Sequence, residues 1–150
     1  MRAESPHTQL SKTICGIVLL RSDGAALLQH RDDKPGLQAA GQWVFPGGHA
    51  ETGEDFLSCA LREFEEETTY RCDDPQWLVT LPDCYDPSWE PYQLVIFWDI
   101  YDGRRSYECR EGQGLEFVPR ASADYISMAE YQRHIWDLAL LRKALLDGRQ

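Results

Sequence analysis

Residues 48–70, GHAETGEDFLSCALREFEEETTY, carry four glutamates, Glu63, Glu65, Glu66 and Glu67, in the last turn and a half of a helix that the apolar spacing predicts. A helix C-terminus is the negative end of the backbone macrodipole, so carboxylates there are unfavourable unless something offsets them. Glu63, Glu66 and Glu67 stand at i, i+3 and i+4 and fall within roughly 100° of arc on one face. Adjacent carboxylates raise one another's pKa unless a cation lies between them. A divalent metal that also carries substrate phosphates is the partner such a hard-oxygen cluster selects. A solvated acidic face is the plainer alternative for an arbitrary helix, and the dipole penalty weighs against it here.

The elements around this helix are legible from pattern. Residues 13–20 and 25–31, separated by Arg21, Ser22, Asp23 and Gly24, read as a strand pair with an Asp-Gly turn. A polar loop over 32–41 leads to a short strand, Trp43, Val44 and Phe45, closed by Pro46, Gly47 and Gly48. Thr52 reads as the N-cap of the acidic helix, whose apolar stripe is Leu57, Ala60, Leu61 and Phe64. Residues 76–80, 93–101 and 115–118 read as strands from their β-branched and aromatic content. Residues 81–91, with three prolines, read as an ordered loop or edge connection. Ile135, Leu138, Ala139, Arg142 and Leu145 recur at helical spacing and predict a C-terminal helix over 128–146.

At 150 residues the chain predicts one domain over 12–150, preceded by a frayed segment over 1–11. A formal charge of -10 and no basic arm argue against a nucleic-acid groove. Five cysteines without a CxxC pair suit neither a disulfide framework nor a zinc clip, which points to reduced cytosol. No apolar run approaches the ~20 residues of a membrane span, and the N-terminus lacks a signal-peptide core, so the expectation is a cytoplasmic protein.

Gly48, Glu54, Arg62, Glu63, Phe64, Glu66 and Glu67 match, in order and spacing, the motif of the Nudix hydrolases, and on these residues the chain resembles that family in its MutT-like branch. The motif runs Gly, five residues, Glu, seven residues, Arg-Glu, an apolar residue, any residue, Glu-Glu, any residue, Gly and an apolar residue. The preceding Trp43 to Gly47 resembles the usual lead-in. The resemblance implies an α/β/α sandwich with a mixed central β-sheet, a catalytic loop-helix-loop and a C-terminal helix. It implies that Glu63, Glu66 and Glu67, with the Gly47 carbonyl, bind Mg²⁺ or Mn²⁺, and that a pyrophosphate bond is hydrolysed. The substrate would be a nucleoside diphosphate linked to another moiety, or a nucleoside triphosphate. Arg62 would steady the neighbouring glutamates and Glu54 the loop and helix. A further ligand or base comes from a later loop in the family, and here Glu111, in Glu111-Gly112-Gln113, is the best candidate, with Glu108 and Glu116 as rivals. The motif breaks at its end, where Thr69 replaces glycine and Tyr70 an aliphatic residue. Glycine would serve as a left-handed terminator, so the threonine predicts a helix that ends differently.

Arg31 is a candidate for substrate phosphate, with a solvated strand end as the alternative. Tyr85 and Trp89 are candidates for stacking on a nucleobase or for a homodimer contact. His30, His49 and His134 have no partner spacing and read as surface or packing residues, and Trp77, Trp98 and Trp136 read as core. The chain has no asparagine, so an asparagine cannot read an oxidised purine as in MutT itself. A non-catalytic nucleotide-sensing module on the same fold is the alternative function, and the complete acidic set argues against it.

Overall fold

In the computed structural model, residues 12–86 and 89–148 are described, with the backbone alone at 85, 86, 89 and 90. The expectation for residues 1–11 and the side chains of Tyr85 and Trp89 lie outside the described residues. The strands are β1 (Lys12–Leu20), β2 (Ala26–His30), β3 (Trp43–Val44), β4 (Gly47–His49), β5 (Gln76–Asp86), β6 (Trp89–Ile100) and β7 (Gly114–Val118). Helix α1 spans Phe56–Thr68 and α2 spans Glu130–Asp147.

The strands form one sheet in the order β3-β2-β1-β6-β5, with β4 on β1 and β7 on β2. Strand β1 is its centre. Residues 17–20 are fully buried, as a strand covered on both faces must be. Alternate residues go to opposite sides. Val18 and Leu20 join Leu94, Ile96, Ile135, Trp136 and Ala139 beneath α2, whereas Cys15, Ile17 and Leu19 join Phe56, Cys59, Ala60 and Phe64 beneath α1. The parallel pairing of β1 with β6, from Lys12 opposite Tyr92 to Leu20 opposite Ile100, makes the sheet mixed. The α/β/α sandwich expected from the motif is therefore present.

Several expectations need correcting. The α1 N-cap is Asp55, whose carboxylate accepts from the Ser58 amide at 2.8 Å and its hydroxyl at 3.0 Å. Thr52 is instead spent in the turn closed by Glu54 N–H to Glu51 C=O, where Gly53 has φ +80°. The buried face of α1 begins at Phe56 and Cys59, and Leu57 is exposed. Of the two readings of the proline-rich segment, loop or edge connection, the described residues support the second: 81–86 belong to β5 and 89–91 to β6, paired with register shifts around Cys84. Pro82 is tolerated because β5 is an edge strand. Strand β4 is an element the sequence reading missed. Trp98 and Trp136 are core residues, but Trp77 is 54% exposed, and Leu145 lies outside the buried face of α2. No helix among the described residues is long and apolar enough to cross a membrane.

Helix α1 does end in the left-handed region, with Thr69 at φ 63° and its amide donating to the Glu65 carbonyl at 2.9 Å. The threonine adopts the glycine geometry rather than avoiding it, which costs about 1–2 kcal/mol for a residue with a Cβ. Thr69→Gly should raise the melting temperature by a few degrees, after part of that gain is offset by glycine's freedom in the unfolded chain. Thermal unfolding followed by circular dichroism checks this; a lower midpoint would show that the Thr69 side chain holds the turn.

Candidate active site

The glycine pair that opens the acidic segment is required by close packing. Gly47 lies opposite Gly16 and Gly48 opposite Cys15 in the β1–β4 ladder. A Cβ on Gly47 would strike the Cys15 carbonyl and come within 2.6 Å of Gly16 Cα. A Cβ on Gly48 would occupy the place of the Glu63 carboxylate. The second glycine thus clears the floor on which the first glutamate of α1 rests.

Arg62 ties the loop to the helix. Its Nε and Nη2 donate to Glu54 at 2.8 and 2.9 Å, its Nη1 to Glu63 at 2.7 Å, and its Nη2 to the His49 carbonyl at 3.2 Å. The paired guanidinium lowers the Glu54 pKa. The Glu63 pKa is raised, because burial outweighs the help from Arg62.

Glu67 is the most strongly displaced carboxylate. It is 5% exposed, and burial, followed by the charges of Glu111 and Glu63, pushes its pKa up to about 8. The opposing contact is Gln29, buried on β2, which donates to Glu67 Oε1 at 2.8 Å.

Glu111 is brought to this point by backbone bonds. The amides of Glu108 and Arg110 donate to the Thr68 and Glu67 carbonyls at 2.8 and 3.0 Å, which satisfies the last turn of α1 with the loop that carries Glu111. On the other side, Gln113 N–H donates to the His30 carbonyl at 2.7 Å, and Gln113 Nε2 to the Arg31 carbonyl at 2.8 Å. Gly112 sits between them at φ +87°, where a Cβ would meet the His30 carbonyl at 2.5 Å. The loop is pinned to both α1 and β2.

Glu63, Glu67 and Glu111 line one cavity of about 350 Å³, together with Gly47, Gly48, His49 and Arg31. Arg31 also donates to the Gln38 carbonyl at 2.8 Å. Burial, with Lys12 and Arg31 nearby, lowers the His49 pKa. The structure does not bring every candidate to the cavity. Glu66 is 58% exposed and 3.4 Å from Arg62; with Arg62 and Glu54 it lines a separate open groove outside α1. Glu108 pairs with Arg110 at 3.4 Å, and Glu116 is exposed on β7. Among the described residues, no three His, Cys, Asp or Glu side chains stand close enough to hold a metal ion as they are.

The donor set nevertheless suits a divalent cation. Three carboxylates face one cavity, and two of them, Glu63 and Glu67, have pKa values raised by burial and by neighbouring carboxylates, Glu111 in both cases. A hard cation removes that repulsion, and its oxygen ligands are the groups supplied. Sequence reasoning missed Gln29 and the cavity position of His49. A glutamine within a buried strand was the available signal for Gln29, and it named no partner.

A model of the NUDIX domain matches residues 11–138. An uncharacterized Nudix hydrolase, YvcI, from Bacillus subtilis (strain 168) is 30% identical over 141 residues, covering 90% of this chain and 83% of its own. Among solved structures, a C. elegans Ap4A hydrolase binary complex superposes with a TM-score of 0.72 at 19% identity, covering 92% of this chain and 99% of that one. The NUDIX domain of Shewanella oneidensis NrtR complexed with ADP ribose gives a TM-score of 0.73 at 18% identity, with 93% of each chain covered. At these identities the two structures speak for the fold.

Proposed function

The chain belongs to the Nudix hydrolase family, and from that premise we propose that it is a metal-dependent pyrophosphohydrolase of a nucleoside diphosphate linked to another moiety, or of a nucleoside triphosphate. The observation that carries this reading is the convergence of Glu63, Glu67 and Glu111 on one cavity that Arg31 also lines. Glu63, Glu67 and Glu111 would hold the cation with the Gly47 carbonyl, and Glu66 would join from the rim once drawn away from Arg62. Magnesium, or manganese in its place, would supply polarisation of the phosphoryl group, neutralisation of the leaving phosphate and a lowered pKa for the attacking water. Arg62 fixes Glu63 and, through Glu54 and the His49 carbonyl, the loop beneath it. Gln29 orients Glu67, leaving its second oxygen free. Arg31 offers a guanidinium to a substrate phosphate.

The solved neighbours named for Ap4A and ADP ribose support a nucleotide as the ligand class. With a net charge of -10, a nucleic acid is a poor partner, and five cysteines without a CxxC pair make the cytoplasm the expected setting. A module that binds a nucleotide without cleaving it would have no use for two carboxylates held at a desolvation cost, Glu63 and Glu67, with a third, Glu111, on the same cavity. Product release from a panel of nucleoside triphosphates, dinucleoside polyphosphates and nucleoside diphosphate sugars decides between the two. The expected result is turnover of at least one compound with Mg²⁺, abolished by chelation and restored by added metal. Inert behaviour towards the whole panel with both Mg²⁺ and Mn²⁺ would overturn the enzymatic reading.

A further inference from the structure

The cavity wall built by β6 and α2 holds a polar side chain that the proposed hydrolysis does not use. Gln132 is 8% exposed and borders the cavity, yet its Oε1 has no hydrogen-bond partner. Among the described residues, no other buried side-chain nitrogen or oxygen is left in this way. Its Nε2 makes one long contact, 3.4 Å, to the Tyr131 hydroxyl, which lies 3.1 Å from the Tyr92 hydroxyl. Phe45, Leu94 and Ile96 line the same cavity with apolar surface.

An acceptor left unpaired in an apolar wall destabilises the empty protein, and such groups persist where something else completes them. The missing partner is a hydrogen-bond donor, N–H or O–H. The neighbouring tyrosine hydroxyl can supply a donor of its own, so the wall presents an acceptor beside a donor. A planar heterocycle with an exocyclic amine next to a ring nitrogen complements that pair, as an amide does when it reads adenine. A carbonyl in place of the amine would set two acceptors against each other.

Resting on the pyrophosphohydrolase reading, we infer that Gln132 is a specificity-determining residue that selects nucleotides with an amine-bearing base, adenine or cytosine, over their deaminated counterparts. The test is kcat/KM, with Mg²⁺, for the matched pairs ATP and ITP, CTP and UTP, and ADP-ribose and its hypoxanthine analogue. It uses the full chain and two variants. The unmodified protein should favour the amine-bearing member of at least one pair by ~10-fold or more, and the responding pair identifies the base. Gln132→Met removes the acceptor at similar volume and should bring that ratio towards one while raising the melting temperature. Gln132→Glu keeps an oxygen in place and should retain the preference. Turnover with no preference, a reversed preference, or a ratio unchanged in Gln132→Met would overturn the inference while leaving the hydrolase intact. No turnover of any member sinks the enzymatic reading and this inference with it.

Discussion

Glu67→Gln should lower turnover by ~10²- to 10⁴-fold and at the same time stabilise the metal-free protein above neutral pH. The first effect follows from removing a carboxylate that faces the cavity beside Glu63 and Glu111. The second follows from linkage. The Glu67 pKa is raised from 4.5 to about 8 in the folded chain, chiefly by burial. Across that window the folded state holds a proton that the unfolded state has released. Stability is therefore fullest below the window and falls as pH rises through it, by on the order of a few kcal/mol. A glutamine has no proton to lose, so the variant's melting temperature should stay flatter between pH 5 and pH 8. Added Mg²⁺ should stabilise the unmodified chain more at pH 8 than at pH 5, because a bound cation replaces the proton. Glu66→Gln, on the exposed rim beside Arg62, should also lower turnover. Near-normal turnover in both variants would remove these carboxylates from the reaction.

Gly48→Ala should lower turnover by about 100-fold with little change in melting temperature. The added methyl would meet the end of the Glu63 side chain, not backbone. A flexible carboxylate can move aside, so the fold survives, but the ligand oxygen is displaced by roughly an ångström, enough to cost such a factor in rate. Gly47→Ala provides the contrast. Its methyl would meet the Cys15 carbonyl and Gly16 Cα, which belong to the central strand and cannot give way. It should destabilise the protein outright. Steady-state kinetics and thermal unfolding of the two variants separate the effects; unmodified turnover in Gly48→Ala would show that Glu63 need not rest where it does.

The carboxylate spacing, the glycine pair and the order of most strands were legible because each is a local pattern with a local cause. Glu111 was legible for a different reason, the resemblance of Glu111-Gly112-Gln113 to the loops of related proteins. What made it a neighbour of Glu67 was not visible: backbone amides of the same loop close the α1 terminus, and no side-chain pattern records such bonds. Gln29 and Gln132 were hidden because a buried amide looks the same in sequence whether it packs, bridges or waits for a partner. Asp55 displaced Thr52 as the cap because Glu51 to Glu54 had already closed a turn of their own. Thr69 misled in the other direction. The backbone bond to Glu65 and the bonds made by the following loop outweigh the penalty that its side chain carries.

The irregular outer strand also bears on how copies of this protein can meet. Strand β5 lies at the end of the sheet, shifts register against β6 between Trp77 and Val79 and around Cys84, and includes Pro82, which offers no N–H. A neighbouring chain would find an interrupted ladder there, with a missing donor and a local twist. Ribbon-to-ribbon joining of two sheets along this border is therefore disfavoured, and a partner docking here would have to bind through side chains.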